Sequence, residues 1–247
     1  MNIVIPMAGR GERFKNNGFE KPKPIIDVDG EPMIRAAVNS LGLDGNYIFI
    51  VYDYENEIYN KLIKDAIHSC CKTPKIIKIN YTTQGPASSV LLAKELIDNN
   101  EPLLTANCDQ IMKWDSKAFS NEILGSEWES GRRDGLVVTY WNDTTKNSYV
   151  KLDGRWATEF AEKRVISNDS LNGIHFWQQG KYFVKSAETM INKDIRVNNE
   201  FYIAETYNQM IATGQQIDVW RIDTSEHWAI GTPEDLKKYL EQNNENK

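Results

Sequence analysis

The chain has 247 residues, 40% of them hydrophobic and 26% charged, a make-up that excludes a disordered or fibrous protein. A chain of this size buries enough surface to hold a core without disulfides or a structural metal. Lys and Arg number 29 against 35 Asp and Glu, and a net charge of −6 argues against a protein that tracks a nucleic-acid backbone.

The first predicted element is a strand over Asn2–Ile5, stopped by Pro6 and followed by a loop with Gly9 and Gly11. Ile25–Val28 reads as strand-like, and Pro32 opens a helix that carries Met33, Ile34, Ala37, Val38 and Leu41. The run Tyr47–Tyr52 is nearly all apolar, as in a strand covered on both faces. A helix over 54–69, a strand over Lys75–Asn80, a helix over Ala87–Asp98 and a strand over Pro102–Ala106 complete an alternation that marks an α/β sheet with crossover helices. After about residue 134 the rhythm changes to strands near 135–141, 148–152, 155–160 and 172–177, which adds antiparallel pairs. Helices near 179–192 and 200–213, strands over Gln216–Ile222 and His227–Ile230, and a helix opened by Thr232-Pro233 follow, with a frayed polar tail from Asn243. The pattern predicts a single α/β, Rossmann-like domain over 1–247 with a mixed, mainly parallel sheet flanked by helices.

No apolar run approaches the roughly 20 residues of a membrane span and no leader pattern opens the chain. Cys70 and Cys71 are adjacent and Cys108 stands alone, so the spacing fits neither zinc nor a disulfide framework and predicts small core or surface residues in a reducing cytoplasm. His68, His175 and His227 are too scattered to predict a metal cluster.

The chemistry concentrates in the first loop. Between Arg10 and Lys23 there are five cations (Arg10, Arg13, Lys15, Lys21, Lys23) and two acids, a local charge of +3 in an acidic chain, so an anionic ligand is expected there. Gly9 and Gly11 let backbone amides approach that ligand, as in phosphate cradles. The Gly-x-x-x-x-Gly-Lys pattern of the P-loop is absent, and the dinucleotide pattern starting at Gly9 and Gly11 meets Phe14 where its third glycine belongs.

The stretch Ala8-Gly9-x-Gly11-x-Arg13-Phe14, then Pro22-Lys23-Pro24 and Pro32-Met33-Ile34, resembles the N-terminal motif of the sugar nucleotidyltransferases, or nucleoside-diphosphate-sugar pyrophosphorylases. The resemblance continues in family order through Gln84-Gly85-Pro86-Ala87, Asn107-Cys108-Asp109, Glu162-Lys163, Gly173-Ile174-His175-Phe176, Asn199-Glu200-Phe201-Tyr202 and Gly231-Thr232-Pro233-Glu234-Asp235-Leu236. It is nearest to the compact members associated with bacterial surface polysaccharides. It implies a glycosyltransferase-A-like nucleotidyltransferase fold, with residues 1–133 binding the nucleotide and 134–247 the sugar phosphate. The implied reaction is attack of a sugar phosphate on the α-phosphorus of an NTP, with Mg²⁺ and release of pyrophosphate. By this resemblance Arg13 holds the departing β- and γ-phosphates, Lys23 neutralises the α-phosphate region and Lys163 meets the acceptor phosphate. The backbone at Ala8, Gly9 and Gly11 lines the nucleotide, Gln84 and Gly85 read the base edge, Asp109 serves nucleotide and metal, and Glu162, Gly173, Glu200 and Tyr202 contact the sugar. The amide of Gln84 suits a pyrimidine.

Two positions depart from the family pattern. Glu12 stands where Ser or Thr is usual, and Ala229 stands where many members have a second metal-binding aspartate, with Asp223 or Glu226 as substitutes to be tested. A glycosyltransferase on a related fold is an alternative, although Asp109 is followed by Gln110 and Ile111 rather than completing an Asp-x-Asp motif. A non-catalytic nucleotide-sugar-binding protein is another, motivated by Glu12 and Ala229.

Overall fold

Ile3, Val4 and Ile5 are at most 1% exposed because β1 (Asn2–Met7) lies inside a sheet and sends side chains to both of its faces. The computed structural model describes residues 1–125 and 133–245. After β1 come α1 (Glu12–Lys15), β2 (Asp27–Val28), β3 (Glu31–Pro32), α2 (Met33–Leu41), β4 (Asn46–Tyr52), α3 (Glu57–Cys70), β5 (Lys75–Ile79), α4 (Pro86–Leu91), α5 (Lys94–Ile97), β6 (Leu103–Thr105), β7 (Gln110–Met112) and α6 (Ser116–Leu124). The chain continues through β8 (Gly135–Trp141), β9 (Ser148–Asp153), β10 (Trp156–Glu162), β11 (Asp169–Trp177), α7 (Gly180–Asn192), α8 (Ile203–Ile211), β12 (Ile217–Arg221), β13 (His227–Ala229) and α9 (Pro233–Glu245).

Nine strands form one sheet along the path β10-β9-β11-β6-β1-β4-β5, with β8 paired to β11 and β12 to β8. β1, β4, β5 and β6 are mutually parallel, and β8 and β12 run the same way across the antiparallel β11. The β11–β6 pairing ties the second half of the chain to the first, so a single mixed, mainly parallel sheet results, as the alternation predicts.

Period-2 alternation sorts the two faces. Val4, Ile48 and Ile50 point into the core under α4, α7 and α8, whereas Ile3, Ile5, Phe49 and Val51 point into the core under α2, α3 and α6. A third, smaller core gathers Phe14, Ile26, Met33, Ile111, Ile230, Leu236 and Tyr239. It fastens the first loop to β7, β13 and α9, which explains the aromatic ring at position 14 where a dinucleotide loop needs glycine.

Several local expectations are corrected. Pro6 does not end β1, which continues to Met7. The Asn2 N–H and the Val4 carbonyl bond on the β6 side, and Pro6, two residues on, faces that side beyond the end of β6, so its missing donor has no partner to disappoint. The helix expected over 87–98 is two pieces separated at Leu92 and Ala93. Ile25 closes a 3-10 turn rather than starting a strand. The tail from Asn243 continues α9 to Glu245, and residues 246–247 lie outside the described range. β7 and α6 have no counterpart in the sequence reading. The Thr232 start of the last helix is confirmed, its hydroxyl accepting from the Asp235 N–H at 3.1 Å.

Candidate active site

The first loop leaves β1 at its C-terminal end, where open α/β sheets bind ligands. Gly11 turns it into α1 with φ +64°, and a Cβ there would stand 3.0 Å from Cβ of Lys23, so both backbone and space call for glycine. Gly9 is exposed and opens on free space. Ala8 by contrast turns its side chain into the core, leaving only its backbone toward the loop. Gly9, Gly11, Glu12, Arg13, Lys23, Asn107, Cys108, Asp109 and Gly231 line one cleft of about 310 Å³.

Asp109 enters this cleft from the segment after β6, and its Oδ2 forms an ion pair with Nζ of Lys23. Both side chains are largely covered, at 15% and 22% exposure, so the pair is little screened. Burial alone would push the Lys23 ammonium down, but the Asp109 carboxylate outweighs it and the pKa is raised. The pairing of Ala229 with Gln110, and the Ile230 N–H donated to the Asp109 carbonyl at 2.9 Å, lay the chain around residue 231 against that carboxylate. A Cβ at Gly231 would meet Oδ2 of Asp109, so any larger residue there would displace the carboxylate. Burial pushes the Cys108 thiol up to about 12, so the thiol lining the cleft is held neutral.

The two departures take physical form. Glu12 is exposed on the cleft rim, beside Arg13. Ala229 is brought beside the Asp109 segment and supplies only a methyl group. Asp223 and Glu226 are engaged within their own turn: Asp223 accepts from Ser225 N–H at 2.9 Å, and Glu226 accepts from Asp223 N–H at 2.7 Å.

The remaining predicted residues form a second group. Lys163 follows β10 with φ +53°, held by its N–H bond to the Asn147 carbonyl at 2.9 Å, and its Nζ donates to the Tyr202 hydroxyl at 2.9 Å. Glu162 is buried and accepts from the Ser148 hydroxyl; burial raises its pKa. Glu200 closes a tight turn in which Asn198 and Asn199 both take left-handed φ. Gly85 lies against Phe201, whose N–H donates to the Gln84 carbonyl at 2.8 Å. The Gln84 side chain is exposed, and its Oε1 accepts from Arg196 at 2.6 Å, with the Arg196 guanidinium 3.9 Å above the Phe201 ring. Gln84 and Gly85 thus sit with this second group rather than among the residues that line the glycine-loop cleft.

Gly173 lies beside the cleft, against Asn107. It lies where the register of β11 slips between Leu171 and His175, at φ +92°, and a Cβ there would overlap the Asn107 side chain. The two groups are linked from β13 through the His227–Tyr140 ring contact at 4.7 Å to Asn147, which donates to the Tyr140 hydroxyl at 2.9 Å and supports Lys163. Asn107 and Gly231 belong to quoted motifs and were legible; Arg196 and Asn147 carry no motif. Among the described residues no group of three or more His, Cys, Asp or Glu could hold a metal by itself.

A glycine loop at the C-terminal edge of a mainly parallel sheet, lined by cations with Asp109 inside the cleft and Glu12 on its rim, defines an α/β nucleotide-binding protein. Residues 3–150 match the model of the MobA-like NTP transferase domain, and the chain belongs to that family. It is similar to a UTP–glucose-1-phosphate uridylyltransferase of Haloferax volcanii, at 26% identity over 95% of this chain and 93% of that one. Mannose-1-phosphate guanylyltransferase 1 of Arabidopsis thaliana is 27% identical over 66% of this chain but only 45% of its own length. A nucleoside-diphosphate-sugar pyrophosphorylase of Vibrio cholerae superposes with a TM-score of 0.82 at 24% identity, covering 97% of this chain and 100% of that one. A UDP-glucose pyrophosphorylase solved with UDP-glucose gives 0.74 at 18% identity, covering 100% and 99%. Sugar-1-phosphate nucleotidyltransferases therefore stand among both the sequence relatives and the structural neighbours.

Proposed function

We propose that the protein transfers a nucleoside monophosphate from an NTP to a sugar 1-phosphate, giving an NDP-sugar and pyrophosphate. The observation that carries this reading is the convergence of Gly9, Gly11, Arg13, Lys23 and Asp109 on one cleft, with Lys163 and Tyr202 on the neighbouring group. In the reaction an acceptor phosphate oxygen bonds to the α-phosphorus while the bond from that phosphorus to the β-phosphate oxygen breaks. Such transfer needs alignment and charge neutralisation, not a protein nucleophile, which agrees with a neutral Cys108. In this reading the Ala8–Gly11 backbone lines the nucleotide, Arg13 holds the β- and γ-phosphates and Lys23 the α-phosphate. Lys163 meets the acceptor phosphate, and Glu162, Gly173, Glu200 and Tyr202 shape the sugar pocket. Residues 1–133 then act as the nucleotide half and 134–247 as the sugar-phosphate half.

The donor set suits Mg²⁺ only as a one-carboxylate site. Asp109 faces the cleft, Gly231 leaves its Oδ2 uncovered by any side chain of its own, and the second carboxylate is replaced by Ala229. Asp109 would hold the ion with water and phosphate oxygens completing its shell, and the bound ion would supply neutralisation of phosphate charge. Pyrimidine NTPs are favoured in this reading, supported by the near full-length match to a uridylyltransferase. A cytoplasmic supply of NDP-sugar for polysaccharide synthesis is the setting it suggests.

The test is a matrix of ATP, GTP, CTP, UTP and dTTP against a panel of sugar 1-phosphates, read by pyrophosphate release. One pyrimidine NTP should lead; a tenfold or greater preference in kcat/KM for ATP or GTP would overturn the base assignment while leaving the reaction class intact.

A further inference from the structure

The opposite end of the sheet carries a second candidate site, made of the two adjacent cysteines. Cys70 is the last residue of α3 and Cys71 its C-terminal cap, and their Sγ atoms lie 3.9 Å apart. Both are half-buried and line a cavity of about 540 Å³, larger than the glycine-loop cleft, together with Asn39, Leu43, Tyr47 and Lys72. Tyr47 lies at the start of β4, whereas the glycine loop leaves the C-terminal end of the parallel β1, so the cavity and the cleft occupy opposite edges.

We propose that Cys70 and Cys71 form a bidentate dithiol site for soft, thiophilic centres that take two sulfur ligands, of which a monosubstituted trivalent arsenical is the type. Neighbouring residues on one chain can place two sulfurs on one atom without the entropy cost of gathering distant ligands. Closing the 3.9 Å gap onto a shared atom needs rotation about side-chain bonds only. A structural zinc ion needs four ligands, and among the described residues no cluster of three His, Cys, Asp or Glu exists to supply them. The cavity supplies what two surface thiols would lack: room for the organic substituent, beside the Tyr47 side chain.

The two thiols are also unequal. Cys71 donates only to the Cys70 sulfur, whereas Cys70 both accepts from it and donates to the Ile67 carbonyl at 3.2 Å, so Cys71 is the less tied of the two and attacks first. With phenylarsine oxide the Cys71 sulfur bonds to arsenic and the arsenic oxygen is protonated. The Cys70 sulfur then forms the second arsenic–sulfur bond, and the oxygen leaves as water with both thiol protons. Arsenic and sulfur keep their oxidation states throughout.

The proposal is independent of the nucleotidyl-transfer reading and is tested on the full-length protein by intact-mass spectrometry with phenylarsine oxide. The expected result is one arsenical per chain, retained in excess monothiol, removed by 2,3-dimercaptopropanol, and bound at least about 100-fold more weakly by Cys70→Ser and by Cys71→Ser. Cys108→Ser should bind like wild type. Loss of the adduct in monothiol, or an adduct that survives either substitution at 70 or 71, would overturn the site. Circular dichroism of each variant separates loss of the thiol from loss of the fold.

Discussion

Lys23 and Asp109, 86 positions apart in the chain, meet across the cleft as a largely covered ion pair, so the main cation of the glycine loop is neutralised by the carboxylate that follows β6. In the proposed reaction a nucleotide entering this cleft would divide the pair, with phosphate taking the ammonium and a metal the carboxylate. The pair keeps two buried charges compensated until then.

The first prediction follows for the cations. Lys23→Ala and Arg13→Ala should each lower turnover about 10²-fold or more, the effect of removing a preorganised charge from a transition state. Circular dichroism should report an intact fold, and near wild-type kcat/KM in both variants would remove them from the mechanism.

Asp109→Asn keeps the size of the side chain and loses its charge. A fall of about 10² in kcat, with a raised Mg²⁺ requirement, is expected. Direct Mn²⁺ titration in the presence of the NTP should show the weakened metal site independently of turnover. An unchanged Mg²⁺ dependence would move the metal elsewhere, and Asp223 and Glu226 are already engaged in their own turn.

Gly11→Ala combines a left-handed backbone with a close approach to Lys23. Left-handed geometry costs a residue with a Cβ about 1–2 kcal/mol. Chemical denaturation should report a loss of that order, and the NTP KM should rise because the displaced side chain is Lys23 itself. Wild-type stability together with wild-type KM would contradict this description of the loop.

His175 supplies a pH dependence. It is buried beside the stacked pair Trp177 and Tyr207, with ring centroids 6.1 and 5.8 Å away, and burial lowers its pKa to about 3. The unfolded chain takes up this proton near pH 6.5 and the folded chain does so only near 3, so stability is full above about 6.5 and falls as the pH drops through that window. His175→Phe should remove up to about 1.4 kcal/mol per pH unit from the slope of unfolding free energy there. An identical slope in the variant would show that the imidazole is not held neutral.

The parts of this architecture that were legible in the sequence are those written in short-range patterns. The alternation in β1 and the apolar run of β4 state which strands are covered on both faces, and the crowding of Gly9, Gly11, Arg13 and Lys23 in one stretch foretells that they line one cleft. β7 was not legible because it is three residues long and its partner, β13, lies more than 100 positions away. The break at Ala93 was hidden because every residue around it favours helix. Arg196 was missed for a similar reason: an arginine near a turn has no signature until Gln84 is seen to accept from it.

That contact gives a further expectation. Arg196 clamps the Gln84 loop to the 194–201 turn through bonds to Gln84, Asp194 and the Asn199 carbonyl. A charged hydrogen bond contributes about 1.5–3 kcal/mol, so Arg196→Ala should raise a substrate KM about tenfold or more. Because Arg196 is placed outside the glycine-loop cleft, kcat should stay within a few-fold of wild type. A fall confined to kcat would contradict a positioning role.

The central claim is tested most directly by the stoichiometry of the reaction with the best substrate pair. Wild-type protein with Mg²⁺, NTP and sugar 1-phosphate should yield NDP-sugar and pyrophosphate in a one-to-one ratio, with both products abolished when either substrate is omitted. Tight nucleotide binding with no pyrophosphate from any acceptor at any Mg²⁺ concentration would contradict it and assign the cleft to binding alone.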